Sequence, residues 1–174
     1  MRIRRFEPAD LRSASVVSVE ALMEDILYAL LNPKRKEYPD EFRAGFERRL
    51  RAESVTPGFV LYVAITDSKD EGEPNQVMGY AIWERRGQSP EAGGWKAENE
   101  GVWTVIKYMY HTLQNNMIDY FELDKSKDVR ASVRFTEQSK GTFASPIFSE
   151  MWYLSLLVVD PRYQRRGVGK MLVQ

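Results

Sequence analysis

Near its end the chain reads QRRGVGKML, from Gln164 to Leu172. Two glycines, Gly167 and Gly169, alternate with Val168 among three cations, Arg165, Arg166 and Lys170. The apolar run WYLSLLVV, Trp152 to Val159, precedes them and is ended by Asp160-Pro161. A strand that enters a glycine turn and then a helix builds an anion site. The first amides of a helix lack internal partners, and the helix dipole places partial positive charge there. Glycine lets main chain approach a phosphate with no Cβ between. The predicted guest is a phosphate or pyrophosphate, with Gly167 and Gly169 giving it access and Arg165, Arg166 and Lys170 adding positive charge around the mouth. The run is not a G-x-x-x-x-G-K-[ST] loop, since its first glycine and the hydroxyl after Lys170 are missing. Nor is it G-x-G-x-x-G, because Leu172 stands at the third glycine. Taken alone, a two-glycine turn with solvated cations is also an ordinary surface loop.

The elements that position this turn follow from periodicity. Ile3 and Phe6 lie in a short extended segment, and Pro8 opens a helix with Leu11, Ala14, Ser18 and Leu22 on one stripe. Ile26, Leu27, Leu30 and Leu31 continue that stripe to the Asn32-Pro33 break. A second helix is predicted from Pro39 to about Ala52, with Phe42, Phe46 and Leu50 four apart. Phe59 to Thr66 and Val77 to Trp83 read as a hairpin across the polar segment Ser68 to Asn75, with Gly79 marking a bulge or a close backbone approach. Arg85 to Gly94 reads as exposed loop, Val102 to Phe121 as helix, Asp124 to Thr136 as a further helix, and Lys140 to Pro146 as loop. The almost wholly apolar Trp152 to Val159 reads as a strand covered on both faces. The order implies one α+β domain over residues 1–174, with a mixed, mostly antiparallel sheet and a helical insertion at about 86–148.

The chain has 174 residues, a single-domain length that can bury a real core. Its 25 basic and 25 acidic residues balance, so composition gives no support to a nucleic-acid or membrane-surface partner. There is no cysteine, which excludes a thiolate metal site, a cysteine nucleophile and a disulfide framework. The charged start MRIRRFEPADL is no secretory signal, and no apolar stretch reaches membrane-spanning length. The expected compartment is cytoplasmic, with the nucleus as the alternative. His111, the single histidine, reads as a half-buried residue of the inserted helix, and no metal site is expected. The aromatics Trp83, Trp95, Trp103, Tyr108, Tyr110, Tyr120 and Phe121 read as core, with an apolar acceptor pocket as the alternative.

The stretch LLVVDPRYQRRGVGKML closely resembles the acetyl-CoA-binding motif of the GCN5-related N-acetyltransferase (GNAT) superfamily. That motif is an apolar strand, a proline, Q/R-x-x-G-x-G/A, and a helix with an apolar third position. Leu157, Val159, Pro161, Gln164, Gly167, Gly169 and Leu172 fill it, within residues 154–172. VMGYAIWERRG is similar to the family's third strand, and the spacing of the inserted helices is similar to fungal small-molecule-type members. The resemblance implies a GNAT-like fold and acetyl-CoA as cosubstrate. Backbone groups of Leu157, Val158 and Val159 would hold the pantetheine arm and acetyl carbonyl, and the amides of Arg165 to Lys170 would hold the pyrophosphate. A small-molecule primary amine would attack the thioester directly, in a ternary complex. The attacking amine must be neutral, which requires a base.

Family members continue past the position of Gln174 with further strands, and often a tyrosine there protonates the leaving thiolate. The resemblance therefore implies a chain that continues beyond Gln174. Some members carry a base glutamate where this chain has Tyr153. Glu150, at the strand entrance, and Glu84, ending the return strand, are the remaining catalytic candidates, although both also read as exposed strand-end charges. A non-catalytic acyl-CoA-binding or interaction domain is the competing reading. The acceptor's identity and the oligomeric state stay open, a dimer included.

Overall fold

The computed structural model describes residues 1–67, 75–99, 101–143 and 149–174, so the hairpin connection predicted at 68–75 lies almost wholly outside the described residues. Four strands form one sheet in the order β1 (Arg2–Arg5), β2 (Phe59–Ile65), β3 (Val77–Arg86), β4 (Met151–Val159), each antiparallel to the next. Helices α1 (Leu11–Leu22), α2 (Ile26–Leu31) and α3 (Pro39–Glu53) lie between β1 and β2. Helices α4 (Pro90–Asn99), α5 (Val102–Tyr120) and α6 (Val129–Phe143) separate β3 from β4, and α7 (Val168–Leu172) follows β4.

Alternation along the strands gives the sheet two apolar faces. Leu61, Val63, Ile65, Tyr80, Ile82 and Val158 pack with Ala14, Val17 and Leu50 of α1 and α3. Ala64, Met78 and Ala81 pack with Val168 and Leu172 of α7 on the other face. Phe42, Phe46 and Leu50 are buried on α3, as their four-residue spacing requires. Tyr80 is fully buried, and its hydroxyl meets Ser18 Oγ at 2.7 Å.

The apolar stripe of the first helix does not run through to Leu31. Asp25 takes an extended conformation and accepts from the Tyr28 amide, starting α2 in a new direction and leaving Ile26 and Leu30 exposed. The predicted loop at Arg85 to Gly94 is instead the end of β3 followed by α4. Ser89 Oγ accepts from the Ala92 amide and Pro90 opens the helix, a start signal that outweighs Gly93 and Gly94. The further helix is displaced from 124–136 to Val129–Phe143, because Asp128 accepts from the Ala131 amide and caps it there. The loop predicted at Lys140 to Pro146 is therefore helical up to Phe143, and its remainder lies outside the described residues. β4 has helices on both faces, α1 on one and α7 on the other, but the cover is incomplete: it is an edge strand among the described residues, with Trp152 and Leu157 substantially exposed. Nor are Trp103, Tyr110, Tyr120 and Phe121 core, since they stand on the outer side of α5 and the turn after it.

The inserted helices are fastened to α2 and α3 through the elbow at Asp124 to Ser126. Arg48 pairs with Asp124, the Lys125 amide donates to Glu41, and Asn32 donates to Ser126 Oγ at 3.1 Å. Asp124 and Ser126 are themselves buried, so this joint is a fixed part of the molecule.

Candidate active site

The glycine turn is built by β4 and by Asp160. The Asp160 side chain is fully buried and accepts from the amide and guanidinium of Arg162, while its own amide donates to Met78 O at 2.9 Å. Gln164 Nε2 donates to Val159 O at 3.1 Å, so the Gln164 amide ties the turn to the end of β4. Arg165 (φ 60°) and Gly167 (φ 86°) both lie in the left-handed region, an uncommon conformation for an arginine. Apart from its own neighbours in the chain, no protein atom lies within 4 Å of where a Gly167 Cβ would stand. Arg165, Arg166 and Lys170 of the same turn are exposed and have no carboxylate partner among the described residues, and the Arg166 guanidinium lies 5.8 Å from the Tyr163 ring centre. Gly169 instead faces Leu157 and Val159, each at 3.7 Å from an added Cβ, and that ordinary contact distance has room for alanine. Main-chain amides at a left-handed glycine with three exposed cations are a donor set suited to a phosphate or pyrophosphate.

Leu157, Val158 and Val159 pair with Ala81, Tyr80 and Gly79 of β3 along one edge. Val158 is buried among α1 and α3 residues, and Leu157 and Val159 face α7. A register shift between Ile82 and Trp83 leaves Ser155 as an extra residue in β4.

The three catalytic candidates part company. Glu84 and Tyr153 are cross-strand partners, and Arg86 joins them: its guanidinium lies 4.2 Å from the Tyr153 ring centre and 2.7 Å from Glu84. Glu150 is elsewhere. Its carboxylate accepts from the Gln88 and Ser89 amides at 2.6 and 2.8 Å and pairs with Arg85 at 3.2 Å. Those amides hold the carboxyl below its usual range, opposite to the shift a neutral-pH base needs. His111 stacks edge-on against Tyr110 at 5.2 Å. Among the described residues, no three His, Cys, Asp or Glu side chains are grouped to hold a metal ion.

A second titratable cluster was not visible in the sequence. Arg49 Nε donates to Glu53 Oε1 at 3.1 Å, Nη1 to Tyr28 Oη at 3.1 Å, and Nη2 to Ser155 Oγ at 3.4 Å. Burial pushes the Glu53 carboxyl up, against the pull of Arg49, and like-charged Glu84 adds to the rise. Burial likewise raises the Tyr28 hydroxyl. Arg49 and Glu53 stand four apart on α3, a spacing that reads as a solvated ion pair; Tyr28 of α2 and Ser155 of the β4 bulge meet Arg49 and leave the pair half-buried.

The sequence matches the Acetyltransferase (GNAT) family over residues 23–174. Comparison with curated proteins finds no match. Among solved structures, the chain is similar to one described as histone acetyltransferase HPA2 and related acetyltransferase from Corynebacterium glutamicum, with a TM-score of 0.54 and 19% identity. The match covers 98% of this chain and 66% of that one. At that identity the likeness concerns the fold, and the four-stranded sheet with α1 and α3 on one face and α7 on the other agrees with it. No helix among the described residues is long and apolar enough to cross a membrane. With the family match spanning most of its length and the strand–turn–helix in place, the chain belongs to the GNAT family of acetyltransferases.

Proposed function

We propose that this chain transfers an acetyl group from acetyl-CoA to a primary amine of a small molecule, by direct attack in a ternary complex. The observation that carries the reading is the turn from Gln164 to Lys170: a left-handed glycine beside open space, in a turn with three exposed cations that no carboxylate neutralises among the described residues, after the end of β4.

In this reading the amides of Arg165 to Lys170 and the side chains of Arg165, Arg166 and Lys170 hold the pyrophosphate. Main-chain groups of Leu157, Val158 and Val159 orient the pantetheine arm, and an amide near Val159 stabilises the oxyanion that develops during attack. Acetyl-CoA supplies the activated acyl group. Glu84 and Tyr153, joined by Arg86, are the groups that β3 and β4 bring near the reacting edge, whereas Glu150 serves the β3–α4 corner. A soluble, cytoplasmic setting accords with an acetyl-CoA supply.

Calorimetric titration of acetyl-CoA tests the site. Gly167→Glu puts a carboxylate into the space left for the pyrophosphate, and affinity is expected to fall at least tenfold, about 1.4 kcal/mol. Unchanged affinity in a folded variant overturns the assignment. A second reading, a non-catalytic acyl-CoA-binding domain, draws on the engagement of Glu150 and Glu84 by arginines. It predicts acetyl-CoA binding with no acetyl transfer to any amine tested.

A further inference from the structure

Between α2 and α3 on one side and α5 and α6 on the other lies a cavity of about 490 Å³. Tyr28, Phe46 and Arg49 line its sheet side together with Glu53, and Ile118 and Phe135 line it from the inserted helices. Tyr28 and Phe46 pack ring to ring at 5.2 Å. The charges around the cavity are mostly spoken for: Arg48 pairs with Asp124, and Lys127 with Asp119 at 2.7 Å. Glu53 is the exception. Arg49 meets only its Oε1, and Oε2 is buried with no hydrogen-bond partner, alone in this among the side chains of the described residues. A buried acceptor left unmet is rare in native proteins and marks a place where a donor is missing. An anion does not suit it, because the Arg49 guanidinium already serves Glu53, Tyr28 and Ser155. The missing partner is an N–H donor on an apolar or aromatic frame.

Arg49 also links this cavity to the strand that carries the proposed acetyl site, through Ser155, two residues before Leu157. We propose that the cavity is the acceptor-amine site and that Glu53 receives the proton an incoming ammonium gives up. The inference rests on the amine-acetylation reading above. The ammonium N–H proton passes to the Glu53 carboxylate, giving the carboxylic acid and a neutral amine. The nitrogen lone pair then forms the C–N bond to the acetyl carbon as the C–S bond breaks. The second N–H proton goes to the departing thiolate, which leaves as CoA thiol with the amide as co-product.

The groups that set Glu53's proton affinity are Arg49 on its own helix and Glu84 from β3; Tyr28 from α2 and Tyr80 from β3 act on Arg49 in turn. The test follows the Glu53 carboxyl by ¹³C NMR in the full chain, its resonance assigned by Glu53→Gln, with 2-phenylethylamine as the probe amine. The carboxyl midpoint is expected above that of an ordinary glutamate. Added amine, as an ammonium beside the carboxylate, is expected to lower it by about one pH unit, a tenfold change in proton affinity. Thr136→Trp fills the cavity from α6 without touching Glu53, and should abolish the response to amine while leaving acetyl-CoA affinity as it was. Glu53→Gln should lower kcat about 100-fold or more and remove the basic-group limb of the pH profile. An amine that binds without moving the Glu53 resonance, or whose effect survives Thr136→Trp, overturns the site even if acetyl-CoA binds normally. An amine response that persists when acetyl-CoA fails to bind supports the cavity and overturns the cofactor reading instead.

Discussion

Glu150 shows how one carboxylate can have the right chemistry in the wrong place. At the strand entrance it reads from the sequence both as a candidate base and as an exposed strand-end charge, and two amides and an arginine occupy it at the β3–α4 corner. Because those amides lower its pKa, the stabilisation it gives is present above the ordinary glutamate range and is lost as pH falls through the depressed value. Glu150→Gln should therefore flatten the fall in melting temperature below about pH 4.3, leaving neutral-pH behaviour nearly unchanged, as thermal melts across that range would show. Glu53 is the converse. Its i,i+4 spacing from Arg49 hides its burial, since a sequence shows which residues share a helix face but not what covers that face. The turn residues needed no such cover. Gly167 was legible because the left-handed conformation it adopts is a property of the local chain, and the sequence names the residue type that tolerates it.

At the scale of elements, β3 and β4 are held at a spacing that Gly79 permits. A Cβ there would stand 2.6 Å from Val158 O, a backbone atom of the strand proposed to carry the acetyl arm. Gly79→Ala should force the strands apart, cost about 1–3 kcal/mol in denaturant unfolding, and weaken acetyl-CoA binding by displacing Val158 and Val159. The sequence signalled that close approach, and the hairpin and the apolar β4 were equally plain from their β-branched runs. Helix α4 was not, because Gly93 and Gly94 spoke louder than the Ser89-Pro90 start. The outward placement of the α5 aromatics also went unread: a stripe of Trp and Tyr at helical spacing says that a face is apolar, not that it is turned inward.

In the molecule as a whole, β4 runs beside two different chemistries. The anion-suited turn belongs to the α7 side, and the Glu53 cavity to the side of α2 and α3, with β4 bordering both. The half of the candidate site made by contiguous residues was therefore the half that could be proposed in advance; the other half needs α2, α3, β4 and the insertion to converge. Strand β3 bears on both. Val77 to Ile82 are all buried, paired to β2 on one edge and β4 on the other, with a packed layer above and below. The amides of Tyr80 to Ile82 cannot meet water until the packed layers lift and the neighbouring strands let go. Hydrogen exchange should accordingly find Tyr80 to Ile82 opening only with the entire fold, at the full free energy of unfolding, while the amides of α5 exchange through smaller, earlier openings. The slowest-exchanging strand would then be the one that lies beside the reacting edge, so the ground on which acetyl transfer is set would be the last part of the molecule to yield.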